Sequence, residues 1–405
     1  MREKWDWSDA RPATKAVWGG EDGPWPGRAT QVPVVHSVSF GYDDVDSWFD
    51  VALGKTPGHI YGRNTNPTVE ALEEKVRLLE GAEAATSFAT GMAAISNTLF
   101  ALLKPGDRVV SIKDLYGGTS LLFMEFLPRF QVEVALVDTA DHDAIEAEIA
   151  RGCQMVYLES PTNPTLKVLD LARLAARAHA EGALVVVDNT FATPINQSPL
   201  ALGADLVIHS ATKFLGGHAD ALGGVACGRR DLVAQLFHFR EVNGATLHPE
   251  AAYLILRGMK TLDLRIRQQN SSALEIAKFL ESHPGIDQVF YPGLPGHPGH
   301  AIAARQMRGF GGVVSFSVRG GFQAVRALLP RLRYAHLAAN LGAVETVAGP
   351  PRTTSHVELS SEERLALGIP EALIRYSVGI EHVGDLLDDL GRALHAVASE
   401  ARVLS

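Results

Sequence analysis

The sequence predicts an α/β fold, with a large, mostly parallel sheet domain and a smaller C-terminal α+β domain. Three observations carry this. Apolar runs alternate with helical segments as far as about residue 230, and continuous apolar strands separated by helices belong to a parallel sheet covered on both faces. The polar residues able to do chemistry fall at the ends of those runs, where such sheets bind ligands. Beyond them the pattern changes to a few alternating runs among helices. At 405 residues, 46% hydrophobic and 20% charged, the chain is long enough for two such domains.

In chain order, residues 1–60 form an arm rich in Trp, Gly and Pro, with Trp5, Trp7, Trp18 and Trp25 in segments that show no sustained period. Such an arm cannot bury its own aromatics, so it is expected to pack against a neighbouring subunit. A helix follows. Asn66 is placed to cap it, Pro67 suits its first turn, Val69, Leu72, Val76 and Leu79 recur at helical spacing, and Gly81 can close it. Tyr61 and Arg63 therefore lie just outside a helix N-terminus.

The strand-like runs are Arg108 to Ile112, Val132 to Val137, Met155 to Leu158, Leu184 to Val187 and Leu206 to Ile208. They deliver Tyr116, Glu159 with Asn163, Asp188 and Lys213. Gly216, Gly217, Gly223 and Gly224 then fit a mobile or closely packed loop. Helical patterns in Glu250 to Gln269 and Ala273 to Leu280 precede two alternating runs, Gly312 to Val318 and Leu373 to Val378. The expected division is an arm at 1–60, a ligand-binding domain at 61–255 and a C-terminal domain at 256–405.

A formal net charge of -9 without any long Lys/Arg run argues against nucleic acid or an anionic membrane as partner, which leaves small molecules. The N-terminal stretch lacks the apolar core of a secretory signal and no apolar stretch is long enough to span a bilayer, so a cytoplasmic protein is expected. Cys153 and Cys227 read as buried structural thiols in a reducing compartment. His297 and His300 read as part of a turn-rich surface loop, and no metal site is expected.

Lys213 and Asp188 are the most informative pair. An apolar run ending in Asp188 is followed by one leading to Lys213, within Ser210-Ala211-Thr212-Lys213. A Lys amine can form a Schiff base with the aldehyde of pyridoxal 5'-phosphate (PLP), and an Asp carboxylate can keep the pyridine nitrogen protonated. Ser210 and Thr212 offer hydroxyls to a phosphate. Ala89-Thr90-Gly91-Met92-Ala93-Ala94 adds a small-residue turn into a helix, where the N–H groups of Gly91 and Met92 would face an anion.

With Tyr61-Gly62-Arg63, Asn66-Pro67-Thr68, Thr90-Gly91-Met92-Ala93-Ala94, Tyr116-Gly117-Gly118-Thr119, Glu159-Ser160-Pro161-Thr162-Asn163-Pro164, Val187-Asp188-Asn189-Thr190-Phe191, Ser210-Ala211-Thr212-Lys213 and Arg375-Tyr376-Ser377-Val378-Gly379, the chain resembles the Cys/Met-metabolism family of PLP enzymes. That family contains cystathionine γ-synthases and γ-lyases, methionine γ-lyases and O-acylhomoserine sulfhydrylases. The resemblance runs from about Thr14 to the C-terminal helix and implies the PLP-dependent transferase fold of type I. It implies that Lys213 carries the cofactor and acts as general base, that Asp188 pairs with the ring nitrogen, and that Tyr116 stacks on the ring and moves a proton. Gly91, Met92, Ser210 and Thr212 would bind the phosphate, joined by Tyr61 and Arg63 of a neighbouring subunit in a homotetramer built from catalytic dimers. Arg375, Asn163 and Asn340 would bind the substrate, Arg375 through its planar two-point match to a carboxylate.

The activity so implied is lyase or transferase chemistry at Cγ of an amino acid: γ-elimination or γ-replacement on an O- or S-substituted homoserine. A vinylglycine-like intermediate is the common branch point. Members that handle cystathionine carry Glu-Ser where this chain has Ala339-Asn340, and methionine γ-lyases carry Cys where it has Gly118. Asn340 resembles the sulfhydrylases, while Gly244 to Glu250 and the compact length look more like the lyase branch. Elimination and replacement both stay open. An aminotransferase would share Asp188 and Lys213 but would need a second keto-acid substrate.

Overall fold

The computed structural model describes residues 6–404 apart from 22, 24, 358 and 359; Trp5 of the arm lies outside the described residues. Seven strands form the large sheet: β1 (Ala84–Phe88), β2 (Arg108–Ile112), β3 (Glu133–Val137), β4 (Met155–Glu159), β5 (Leu184–Asp188), β6 (Leu206–Ser210) and β7 (Gly224–Gly228). Their order is β1-β7-β6-β5-β4-β2-β3. Strands β2 to β6 pair in parallel, and β7 runs antiparallel to both of its neighbours. Each face is buried: in β6, Leu206 and Ile208 pack into one apolar cluster and Val207 into another.

The five predicted runs all form strands. Glu159 and Asp188 are the last residues of their strands rather than the first beyond them, and β6 runs two residues past Ile208 to end at Ser210. The order of the strands reverses between β2 and β4, a switch point that opens a crevice at the carboxyl ends of those strands. Tyr116 leaves β2 and Asn163 leaves β4 on its two sides.

Two strands of the large sheet escape the sequence reading, as do β8 (Ile286–Phe290), β10 (His336–Leu337) and β11 (Val347–Gly349) of a second sheet. β1 carries Thr86 and Ser87 among its five residues, and β7 begins at Gly224 inside the segment expected to be a loop. Close packing explains the second: a Cβ on Gly224 would lie 2.1 Å from the Thr90 carbonyl oxygen. The expected helical pattern over 250–269 also divides differently. Helix Pro249–Met259 ends near Lys260, and Leu262–Ser282 runs on through the second predicted helical stretch.

A second sheet of five strands comprises β8 (Ile286–Phe290), β9 (Val313–Val318), β10 (His336–Leu337), β11 (Val347–Gly349) and β12 (Leu373–Ser377), in the order β10-β11-β12-β9-β8. It holds Arg375 in the centre of β12, paired with Ser315 on one side and Gly349 on the other.

The arm contains two helices, α1 (Pro12–Trp18) and α2 (Val45–Ala52), before α3 (Pro67–Glu80). Asn66 caps α3 by accepting from the Thr68 and Val69 N–H groups, and Gly81 ends it in the left-handed conformation. Helix α1 docks on its own chain. Ala16 is fully buried, and the Lys75 ammonium donates to the Ala16 carbonyl at 2.9 Å and to Glu21 at 2.6 Å. Glu21 also meets Lys260 at 2.6 Å. By contrast Val45, Trp48, Phe49 and Leu53, in and after α2, are exposed.

Both cysteines are free and buried. His300 bonds to the Pro292 carbonyl within the turn, and among the described residues no group of three or more His, Cys, Asp or Glu could hold a metal. No helix among them is long and apolar enough to cross a membrane.

Candidate active site

The crevice holds a pocket of about 380 Å³, a size suited to a small organic molecule. It gathers, from five separate stretches of chain, Gly91 and Met92, Tyr116, Asn163, Asp188, and Ser210 with Thr212 and Lys213; Arg375 enters from the second sheet. All of these were candidate residues in the sequence.

Helix α4 (Gly91–Leu102) points its N-terminus into the pocket. The Thr90 hydroxyl accepts the Ala93 N–H at 3.0 Å, and the N–H groups of the first turn have no intrahelical partner, which suits an anion. Gly91 is pressed against β6, since a Cβ there would lie 2.7 Å from Ser210 Cβ. The Ser210 hydroxyl is thereby brought next to the first turn. The Thr212 hydroxyl is already engaged: it donates to the Gly223 carbonyl at 3.3 Å and accepts the Gly223 N–H at 3.0 Å.

Lys213 Nζ donates to Asn340 Oδ1 at 2.8 Å. Burial, and then the nearby Arg375 guanidinium, bring its pKa down to about 8, because each disfavours the ammonium form. Asp188 Oδ1 accepts the Thr190 N–H at 3.0 Å. Burial pushes the Asp188 pKa up despite that bond. A protonated ring nitrogen beside it would restore its charge.

Arg375 is only 7% exposed. Its guanidinium donates to Asn163 Oδ1 at 3.0 Å and to the Asn340 carbonyl at 3.1 Å, both neutral acceptors. Burial lowers its pKa to about 10. A buried guanidinium held by neutral groups favours an incoming carboxylate. Tyr116 stands 44% exposed at the mouth of the pocket. Gly118 sits close beneath it, since a Cβ there would lie 3.0 Å from the Tyr116 ring and 3.1 Å from Met92 Sδ. The donor set therefore fits PLP: a Lys amine, an acid for the ring nitrogen and an anion site on one wall.

Tyr61 and Arg63 do not line the pocket of their own chain. Tyr61 is exposed, its ring 5.0 Å from the Arg63 guanidinium, and Arg63 Nε donates to the Glu241 carbonyl at 2.9 Å. Asn340 meets Lys213 and Arg375 directly. Glu159, expected among the strand-end polar residues, and Ala339, expected in the substrate wall, both line the pocket, whereas the sequence reading assigns no role there to Thr190, Phe191, Leu222, Thr354 or Ser355. Thr190 had a signal, two residues beyond Asp188. Thr354 and Ser355 had none, because they come from a loop brought over the pocket by the second sheet.

The family model for Cys/Met metabolism PLP-dependent enzymes matches residues 13–395. Among relatives, L-methionine gamma-lyase of Fusobacterium nucleatum subsp. polymorphum is 42% identical over 369 residues, covering 90% of this chain and 93% of that protein. O-succinylhomoserine sulfhydrylase of Pseudomonas aeruginosa is 44% identical over 344 residues, 85% of each. The crystal structure of cystathionine gamma synthase from Xanthomonas oryzae pv. oryzae in complex with cystathionine superposes with a TM-score of 0.91 at 40% identity, covering 96% of this chain and 99% of that one. With a PLP-compatible pocket at the switch point of its large sheet, the chain belongs to the Cys/Met metabolism PLP-dependent enzymes.

Proposed function

We propose that Lys213 binds PLP and that the enzyme carries out γ-elimination or γ-replacement on an O- or S-substituted homoserine in sulfur amino-acid metabolism. The observation that carries the reading is the meeting of Lys213, Asp188 and Arg375 in one pocket. Bound PLP supplies a ring that accepts negative charge from the substrate's α carbon.

Burial favours the neutral Lys213 amine, and Asn340 Oδ1 holds it. The amine is the group to take a proton from the α carbon and to move one at the β carbon. Asp188 holds a proton on the ring nitrogen. Gly91, Met92, Ser210 and Thr212 bind the phosphate. Thr212 does so by turning its hydroxyl away from the Gly223 carbonyl. Arg375 and Asn163 orient the substrate carboxylate, and Tyr116 covers the ring and exchanges a proton at the departing γ-group.

Ala339, Leu222, Thr354 and Ser355 bring no charged side chain to the remaining wall. A second ammonium buried there would have no acid to meet, so a neutral γ-substituent suits the pocket better than a distal amino-acid head. We further propose a homotetramer of catalytic dimers in which Tyr61 and Arg63 reach the neighbour's phosphate. In that assembly residues 1–60 are the connecting arm, 61–255 the PLP-binding domain and 256–405 the C-terminal domain. A cytoplasmic location accords with two free thiols.

Borohydride treatment of the holoenzyme tests the attachment: the cofactor should be recovered on the Lys213 peptide, and recovery on another lysine rejects it. Product analysis with O-acetylhomoserine, methionine and cystathionine, each with and without a thiol, separates elimination from replacement. A kcat/KM higher for cystathionine than for O-acetylhomoserine would refute the neutral-substituent reading.

A further inference from the structure

Glu159 ends β4 and is only 4% exposed. Its two carboxylate oxygens serve different stretches of chain. Oε2 accepts the Tyr116 N–H at 3.0 Å, and Oε1 accepts the Asn163 N–H at 3.2 Å. Beyond Asn163 the bonds continue: Arg375 donates to Asn163 Oδ1 at 3.0 Å and to the Asn340 carbonyl at 3.1 Å, and Lys213 donates to Asn340 Oδ1 at 2.8 Å. One path thus joins Tyr116, Glu159, Asn163, Arg375, Asn340 and Lys213.

An acid is costly at this position. Glu159 is the register partner of Asp188 on the adjacent parallel strand, so two buried carboxyls stand side by side. Burial and the Asp188 charge both push the Glu159 pKa up, and the Tyr116 and Asn163 N–H groups oppose them by favouring the ionised carboxylate. The two contacts account for its presence. Two backbone N–H groups, one leaving β2 and one leaving β4, converge on a single side chain, and a carboxylate offers two acceptor oxygens with no donor to repel either. Glutamine, of the same shape, would turn its NH₂ toward one of them.

We infer that Glu159 is a positioning residue that sets Tyr116 and the Asn163–Arg375 pair in register across the switch point, so that the cover of the cofactor ring and the substrate-carboxylate clamp are aligned by one side chain. This rests on the roles of Tyr116 and Arg375 proposed above.

The test is Glu159→Gln in the full-length holoenzyme, with steady-state kinetics on the best homoserine substrate and visible circular dichroism of the bound cofactor. KM should rise roughly tenfold, as expected for one lost charge-assisted hydrogen bond at a binding residue, with a smaller fall in kcat. The visible band should lose intensity at unchanged cofactor content. A purely structural role would lower the melting temperature and leave both readouts alone. KM and visible band within twofold of wild type would overturn the inference.

Should the variant fail to fold, amide hydrogen exchange at single-residue resolution in the wild-type holoenzyme decides. Slow exchange at both Tyr116 and Asn163 is expected, and fast exchange at both would overturn it. Failure of the underlying reading is seen separately, as wild-type enzyme in which borohydride attaches no cofactor to Lys213.

Discussion

Lys213 is held in a setting that disfavours its charge, and this has a measurable sign. Its pKa falls from an ordinary 10.5 to about 8 in the fold. Between those values the unfolded chain binds more protons than the folded one, so stability should rise as pH rises through that window. In protein stripped of PLP, urea denaturation should give wild type a gain from pH 8 to 10.5 of at most about 3 kcal/mol, and Lys213→Met should lack it. Equal pH slopes in the two proteins would contradict the setting described. Asp188 makes a second prediction. Asp188→Asn should fold and retain PLP while kcat drops roughly 100-fold or more, because the lost charge is used where charge develops; near-wild-type turnover with cofactor bound would dismiss its electronic role. Both residues were legible in the sequence because each ends or follows an apolar strand. Thr354 and Ser355 were not, since only the tertiary fold brings them to the pocket.

Among elements, the helix and strands with a strong local signature were the readable ones. Asn66, Pro67 and Gly81 mark both ends of α3, and β2 to β6 are apolar runs of five residues. β7 was hidden by its leading glycine, which answers to the neighbouring Thr90 backbone rather than to strand propensity. The docking of α1 was equally hidden, because it depends on a buried charge cluster between residues far apart in sequence. Lys75 and Glu21 have side-chain exposures of 0% and 4%, so removing the acid leaves an ammonium without its counter-ion. Glu21→Gln should cost about 3 kcal/mol in chemical denaturation. A loss below about 0.5 kcal/mol, the scale of an exposed pair, would show that the cluster does not anchor the arm.

For the whole molecule, the two-sheet architecture was legible from the change in pattern along the chain, whereas strand order was not, because it is a property of pairing. Arg63 is anchored to its own Glu241 carbonyl and does not line its own pocket, and Trp48 and Phe49 stand exposed nearby in sequence. Mixing Lys213→Ala chains with Arg63→Ala chains should therefore restore part of the activity lost in each, up to about one competent site per mixed dimer. Verified hybrids with no activity would refute a shared site. The buried Arg375 guanidinium bears on the solution around the enzyme as well. A cation kept out of water and held by neutral acceptors does not distinguish an amino acid's carboxylate from that of a simple acid. Acetate and formate should act as weak competitive inhibitors, raising KM without changing kcat, while chloride at equal ionic strength does so less; buffer choice would then alter the measured affinity of every substrate alike.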